Sequence, residues 1–317
     1  MCYNDRVLAR IARTAAFATL FAGLAASCSV SAVDFTGKAC PNGTCPTGFV
    51  CAAGRCQDKN VGPTSADAGP TAIADAAEGA PPKSTYASVV LADAPVGYWR
   101  FGDGAGSIAR DEMGNAHPGT LSGDCRLGAS GLVGEADTAL ALGPSMCRVE
   151  LGDAFMFEGR RPFSIEIWLQ VRNPQRANSA RFLIERDSLG GPNEGYRLYY
   201  LSPGNGGLIF ARWAGLGGIE EDYATAPNGF PGGVPVHVVG TFDGSVPHLY
   251  LNGSDQGGSA GSGDRRIPPG PGALAFGDEP RGGGNPNVDT VFDEIAIYDK
   301  ALAAERVLAH YRAGGGR

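Results

Sequence analysis

The chain has 317 residues, a net charge of -7 and a pI near 5.2. That balance excludes a nucleic-acid binder, which needs a basic patch to neutralise phosphates. The 49 glycines and 22 prolines fit a turn-rich, all-β protein better than a helical one, and the length suits one large domain or two smaller ones.

In chain order, Arg6, Arg10 and Arg13 precede "AAFATLFAGLAAS" (Ala15 to Ser27), an apolar stretch too short to span a bilayer comfortably. A basic start, an apolar core and small residues beyond it read as a secretory signal over residues 1–32. Two cleavage readings fit. In "LAASC" small residues stand before Cys28, which would carry a lipid, although the leucine lies one place further upstream than a usual lipobox has it. Ordinary cleavage after Ala32 uses Val30 and Ala32 as the small pair. The lipoprotein reading accounts for a cysteine placed directly after the apolar core. The expectation is an exported chain, in the cell envelope or secreted, that meets a membrane only through such an anchor.

Eight cysteines are present; setting aside Cys2 and Cys28 leaves an even number, which favours disulfides in an exported chain. Cys40, Cys45, Cys51 and Cys56 follow a C-x4-C-x5-C-x4-C spacing with no histidine nearby, so residues 33–56 read as a small disulfide module, not a zinc site. Sequence does not choose among its three connectivities. The module resembles the short "C-P-x-G-x-x-C" units near the N-terminus of exported bacterial proteins. Residues 57–85, rich in Ala, Pro, Gly and Asp and without an aromatic before the boundary, read as a disordered, flexible linker.

From Tyr86 to residue 317 short apolar runs alternate with Gly, Asp and Asn turns. "FSIEIWLQV" places Phe163, Ile165, Ile167 and Leu169 on one face and Glu166, Trp168 and Gln170 on the other, the pattern of a half-buried strand. "RFLIERD", "YRLYYL", "GLIFARW", "VPVHVVGTF", "PHLYLNG" and "VFDEIAIYD" repeat the theme, which suggests a β-sandwich. Asp243-Gly244 reads as a hairpin turn with Val238 and Phe242 facing one way. Cys125 and Cys147 are the remaining cysteines of this region and are expected to pair. The one helix candidate is "ALAAERVLAHYRAG", with Leu302, Val307, Leu308 and Tyr311 in a narrow stripe and Gly314 at its end.

Five pieces, in order, resemble the laminin-G-like, concanavalin A-like lectin/glucanase domain family: the opening with Tyr98, Trp99, Arg100, Gly102, Asp111, Gly114, Asn115 and Gly119; the strand with Phe163, Ser164, Glu166 and Trp168; the hairpin from His237 to Gly253; "FDEIAIYDKAL" (Phe292 to Leu302); and "HYRAG". The resemblance implies an all-β, two-sheet antiparallel jelly-roll sandwich with a short C-terminal helix, which commonly binds glycans or proteins at the cell surface. It also implies one structural Ca²⁺, with Asp111, Asn115 and Asp293 as ligands; the alternative for Asp111 is a plain Asx turn. Trp99 and Trp168 stand at framework positions. Trp213, Arg212, Tyr199 and Tyr223 fall in the variable middle and are the expected ligand-binding face, with loops 214–227 and 253–271 as a rim. The family usually has Ser before the last helix. Here Ala303 stands there, so that helix is expected to fray or to start nearer Asp299.

No catalytic residue is expected. "GGSAG", with Ser259, matches a nucleophile elbow but lacks the strand and helix that motif needs. The nearest carboxylates for a glycosidase pair are Glu166 and Asp293-Glu294, and neither has a second carboxylate two or four residues further along its strand. His117, His237, His248 and His310 are scattered and read as surface or packing residues. The expected function is non-catalytic binding of glycans or surface proteins. The alternatives are a polysaccharide hydrolase on the same fold and an envelope component without a ligand.

Overall fold

A computed structural model of the chain describes residues 45–47, 49–52, 55–58, 85–172, 174, 180–188, 194–201, 207–214, 221–258, 266–278 and 289–316. The expected signal segment, Cys28, Cys40, Ser259 and most of the expected linker lie outside the described residues. The chain divides into two compact units, Met1–Ala77 and Glu78–Arg317.

In the first unit β1 (Phe49–Ala52) and β2 (Arg55–Asp58) form an antiparallel hairpin with Cys51 opposite Cys56. A disulfide joins Cys45 to Cys56, and Cys51 is disulfide-bonded as well. Of the three connectivities of four cysteines, the Cys45–Cys56 bridge is compatible with one. So short a segment buries little apolar surface, so covalent bridges supply its stability.

The second unit opens with a helix that the sequence reading did not anticipate, α1 (Tyr86–Ala92). The Thr85 side chain caps it by accepting the Ser88 N–H at 3.2 Å, and Tyr86 and Val90, four residues apart, turn inward and are buried. Then come β3 (Gly97–Trp99), β4 (Ile108–Ala109), β5 (Gly119–Ser130), β6 (Thr138–Gly152), β7 (Phe163–Val171), β8 (Arg181–Ser188), β9 (Glu194–Tyr200) and β10 (Leu208–Ala214). They are followed by β11 (Glu221–Ala226), β12 (Val236–Phe242), β13 (Pro247–Leu251), β14 (Ser254–Asp255), β15 (Gly272–Phe276), β16 (Thr290–Tyr298) and α2 (Ala304–Ala313). Both segments read as loop rims therefore contain strands, β11 and β14.

One layer runs β11-β10-β9-β8-β15-β6 and the other β6-β16-β7-β12-β13-β14, with β3 added on β16. The pairings are antiparallel. The long strand β6 belongs to both layers: Leu140 to Leu142 pair with β16, and Val149 to Gly152 pair with β15. The Cys125–Cys147 disulfide ties β5 to β6. Between the layers lies the main core, including Trp99, Phe163, Ile165, Ile167, Leu169, Phe210, Phe242 and Phe276. Bare backbone at Gly240 on β12 is part of this packing, because a Cβ there would lie 2.5 Å from the Phe210 ring of the opposite layer.

Strand β7 departs from the half-buried reading. Phe163, Ile165, Ile167 and Leu169 face the core, but Glu166 and Trp168 on the other side are buried too. There Trp168 packs in a second cluster with Tyr86 and Val90 of α1 and Val307 of α2. Period two says only that the two faces differ; what covers each face is decided elsewhere. Helix α2 begins without a side-chain cap at Ala303, does not reach back to Asp299, and ends at Gly314.

Candidate functional site

The outer face of the first layer is built by alternate residues of β8 to β11. Tyr223, Ala211, Arg197, Glu185 and Ala275 stand in register across it. The Arg197 guanidinium stacks on Trp213, 3.1 Å from the ring centroid, and also lies over Phe182 and Tyr199 at 5.2 and 6.0 Å. It pairs with Glu185 at 3.0 Å. Tyr199 and Ile209 are nearly covered, Phe182 and Trp213 half-buried, and Tyr223 is 43% exposed. Tyr223 also borders a small pocket of about 260 Å3 with Gln256, Gly257 and Gly258. Three of the four expected ligand residues, Tyr199, Trp213 and Tyr223, thus share one face.

Arg212 is a correction. One position along the strand from Trp213, it points the other way, toward the core. Its Nη1 pairs with Asp222 at 2.9 Å, its Nη2 donates to the Gly159 carbonyl, and it stacks 3.7 Å from the Phe242 centroid. Burial lowers its pKa to about 10 while Asp222 pulls in the opposite direction.

The same outer face holds a carboxylate pair that the sequence reading passed over. Glu185 and Asp187 stand two apart on β8, about 6.6 Å between Cα atoms, a signal visible in "RFLIERD". They are 0% and 2% exposed. Glu185 is held by Arg197, and Asp187 accepts the Glu194 N–H at 3.2 Å.

Under the helices the second layer's outer face gathers groups from four elements onto one carboxylate. The Tyr86 hydroxyl donates to Glu166 Oε1 at 2.7 Å and the Tyr298 hydroxyl to Oε2 at 2.6 Å. His237 Nε2 lies 2.6 Å from Oε1, and His310 Nδ1 lies 3.0 Å from both oxygens. His310 Nε2 then reaches Asp93 at 2.8 Å, which Arg306 also grips. Glu166, His237 and His310 are all 0% exposed, so of the two roles expected for the histidines, surface or packing, His237 and His310 take the packing one. Burial pushes the Glu166 pKa up, but the His310 charge and the hydrogen bonds of both histidines outweigh it and hold the carboxyl well below the usual range. Burial alone would depress His310; Glu166 and Asp93 raise it instead. Its carboxylate and imidazoles are enclosed between the helices and the second layer.

The expected calcium ligands do not fit a cation cage. Asp111 Oδ1 accepts from the Tyr98 and Met113 N–H groups, and Oδ2 from His117 N–H, each at 3.0 Å. Asn115 Oδ1 accepts the Asp111 N–H. This is the Asx turn, filled by its own backbone. Asp293 sits on β16, where Oδ2 accepts Leu132 N–H at 2.8 Å and burial pushes its carboxyl up to about 7. Its neighbour Glu294, raised to about 8 by burial, is bound by Arg100 at 3.0 Å and by the Tyr98 hydroxyl. Arg100 also pairs with Glu135 and Asp137 at 2.6 Å. Among the described residues no three His, Cys, Asp or Glu side chains are placed to hold a metal ion.

A family model described as the concanavalin A-like lectin/glucanases superfamily matches residues 148–308. No curated protein sequence matches the chain. Among solved structures, domain 4 of AbnA, a GH43 extracellular arabinanase from Geobacillus stearothermophilus in complex with arabinotriose, is similar at TM-score 0.52 and 17% identity. That alignment covers 68% of this chain and 98% of that one. The binding domain of botulinum neurotoxin serotype D is similar at TM-score 0.51 and 14% identity, covering 71% and 52%. Its complex with N-acetylneuraminic acid gives TM-score 0.50 and 14% identity, covering 72% and 52%. The chain therefore spans nearly all of the first and about half of the other two. At these identities the likeness shows the fold alone.

Proposed function

Because the chain belongs to the concanavalin A-like lectin/glucanase superfamily, we propose that it is a non-catalytic binding module that recognises glycans on the outer face of its first layer. The observation that carries this reading is the stack of Arg197 on Trp213, flanked by Phe182 and Tyr199 in a cluster apart from the main core. Aromatic walls with a few fixed polar groups are the usual make-up of a ligand site. The saccharides in two structural neighbours support the ligand class. The leader and Cys28 support display at the cell envelope, which mass spectrometry of the mature N-terminus checks.

A glycan array probed with the full chain, with and without calcium, tests the reading. Tyr223→Ala, at an exposed side chain, and Trp213→Ala are each expected to weaken binding at least tenfold. An array without a bound glycan, or variants that bind as the parent does, sinks it.

A second reading rests on Glu185 and Asp187, two carboxylates on one strand face, as in a glycoside hydrolase. It predicts release of reducing sugar from a polysaccharide panel, abolished by Glu185→Gln.

A further inference from the structure

The helices cover only part of the second layer's outer face. One step along from Trp168 and Asp293 it opens into a cleft of about 700 Å3, lined among others by Arg126, Ala141, Gly143, Gln170, Arg172 and Asp289. That volume lies within the range of small-ligand sites, roughly 300–1,000 Å3. Its floor is a register row. Arg126 on β5 stands opposite Ala141 on β6, Ala141 opposite Val291 on β16, and Val291 opposite Gln170 on β7. Two short apolar side chains therefore lie between polar ends. Three inter-strand steps of roughly 4.8 Å put those ends about 14 Å apart. Arg172, two residues beyond Gln170, stands at the same end, its N–H donating to the Asp289 carbonyl at 3.1 Å.

Arg126 already demonstrates what this cleft accepts. Its Nε and Nη2 fork the Asp124 carboxylate at 3.0 and 3.2 Å. That carboxylate lies over bare backbone at Gly143, where a Cβ would stand 2.1 Å from Asp124 Oδ2. The Arg126 side chain is 65% exposed, and an exposed pair of this kind contributes little, so an incoming carboxylate can replace Asp124. Arg172 is exposed, and among the described residues no carboxylate pairs with it. Gln170 donates its amide to the Gly233 carbonyl and keeps its Oε1 as an acceptor.

We propose that this cleft binds a carboxylate-bearing sugar, a uronate unit of an acidic polysaccharide. Arg126 and Arg172 hold carboxylates in their planar forks. Asp289 and Gln170 accept sugar hydroxyls, and the sugar's apolar face rests on Ala141 and Val291. The inference takes its ligand class from the glycan reading, but its site and its charge requirement are separate from the Trp213 face. The net charge of -7 makes it testable, because the whole molecule repels a polyanion and binding must come from local groups.

The experiment is calorimetric titration of the full chain with a galacturonate oligosaccharide and with its methyl ester at low salt. The expected result is binding of the acid and at least tenfold weaker binding of the ester. Arg126→Gln and Arg172→Gln should each cost about tenfold, Asp124→Asn should tighten binding by releasing Arg126, and Trp213→Ala, which weakens neutral-glycan binding on the other face, should leave the galacturonate affinity as it is. Both arginines are exposed, so an unaltered melting temperature certifies folding; Ala141→Glu, a like charge on the floor, gives an independent block. Equal binding of acid and ester, absence of binding by the acid, or indifference to both arginine variants overturns the proposal. If neutral glycans bind through Trp213 while galacturonate does not, this inference fails and the outer-face reading stands. If galacturonate binding needs Arg126 but not Trp213, and neutral glycans do not bind, the outer-face reading fails alone.

Discussion

Glu166 is the residue on which the unit's packing outside the main core depends. Two tyrosine hydroxyls and two imidazoles converge on its carboxylate, and all of it is sealed. Removing one partner of a buried charged pair leaves the other uncompensated, which costs about 3–5 kcal/mol. Glu166→Gln should therefore lower the unfolding free energy by that order in urea titration, and a loss under about 1 kcal/mol would mean that the charge is dispensable. Each member of the cluster is readable in the sequence as a residue, but the cluster is not. Glu166 lies 71 positions from His237 and 144 from His310, and no periodicity links positions so far apart. The converse holds for Arg212. The sequence places it beside Trp213, yet neighbours on a strand face opposite sides, and the side matters more than the proximity.

At the scale of elements, strands were legible because alternation and glycine-bounded turns are local signals. The β12–β13 hairpin is where its Asp-Gly turn places it, with Val238 and Phe242 in the core. Helix α1 was not legible. Its seven residues include adjacent valines, follow a linker-like stretch, and owe their helical state to docking on β7 more than to propensity. Helix α2 shows the opposite case. It forms where expected although Ala303 supplies no cap, because Val307 and His310 are buried beneath it. Restoring the missing cap is a direct test. Ala303→Ser should add about 1 kcal/mol to stability, read as a rise in the urea midpoint at unchanged slope. No gain would show that the first turn is already held by its packing.

The whole molecule should lose stability as pH rises. The His310 pKa is raised above its ordinary 6.5, so its contribution is fully present below that value and is lost as pH climbs through the folded one. Asp293 and Glu294, raised from 3.8 and 4.5 to about 7 and about 8, act in the same direction, because folding holds them more easily when neutral. Glu166, lowered in the fold, contributes above about 4.5 and fails only as pH falls. Thermal midpoints by circular dichroism should therefore be highest near pH 4.5, fall from there as Asp293 and Glu294 are forced to charge or to stay protonated at a cost, and be several degrees lower by about pH 9; a flat or rising profile over that range contradicts the assignment. The sandwich class was legible at this scale because many weak strand signals agree, whereas the sharing of β6 between layers was not, since nothing local in a strand names its second partner. The junction of the two helices has a further consequence. Asp93, just past α1, receives both Arg306 and His310 of α2, so the first and last elements of the unit are neighbours. A fold whose entry and exit lie side by side can be spliced into a surface loop of another protein, or reopened elsewhere and rejoined there, without stretching either connection. The unit is thus built as a cassette.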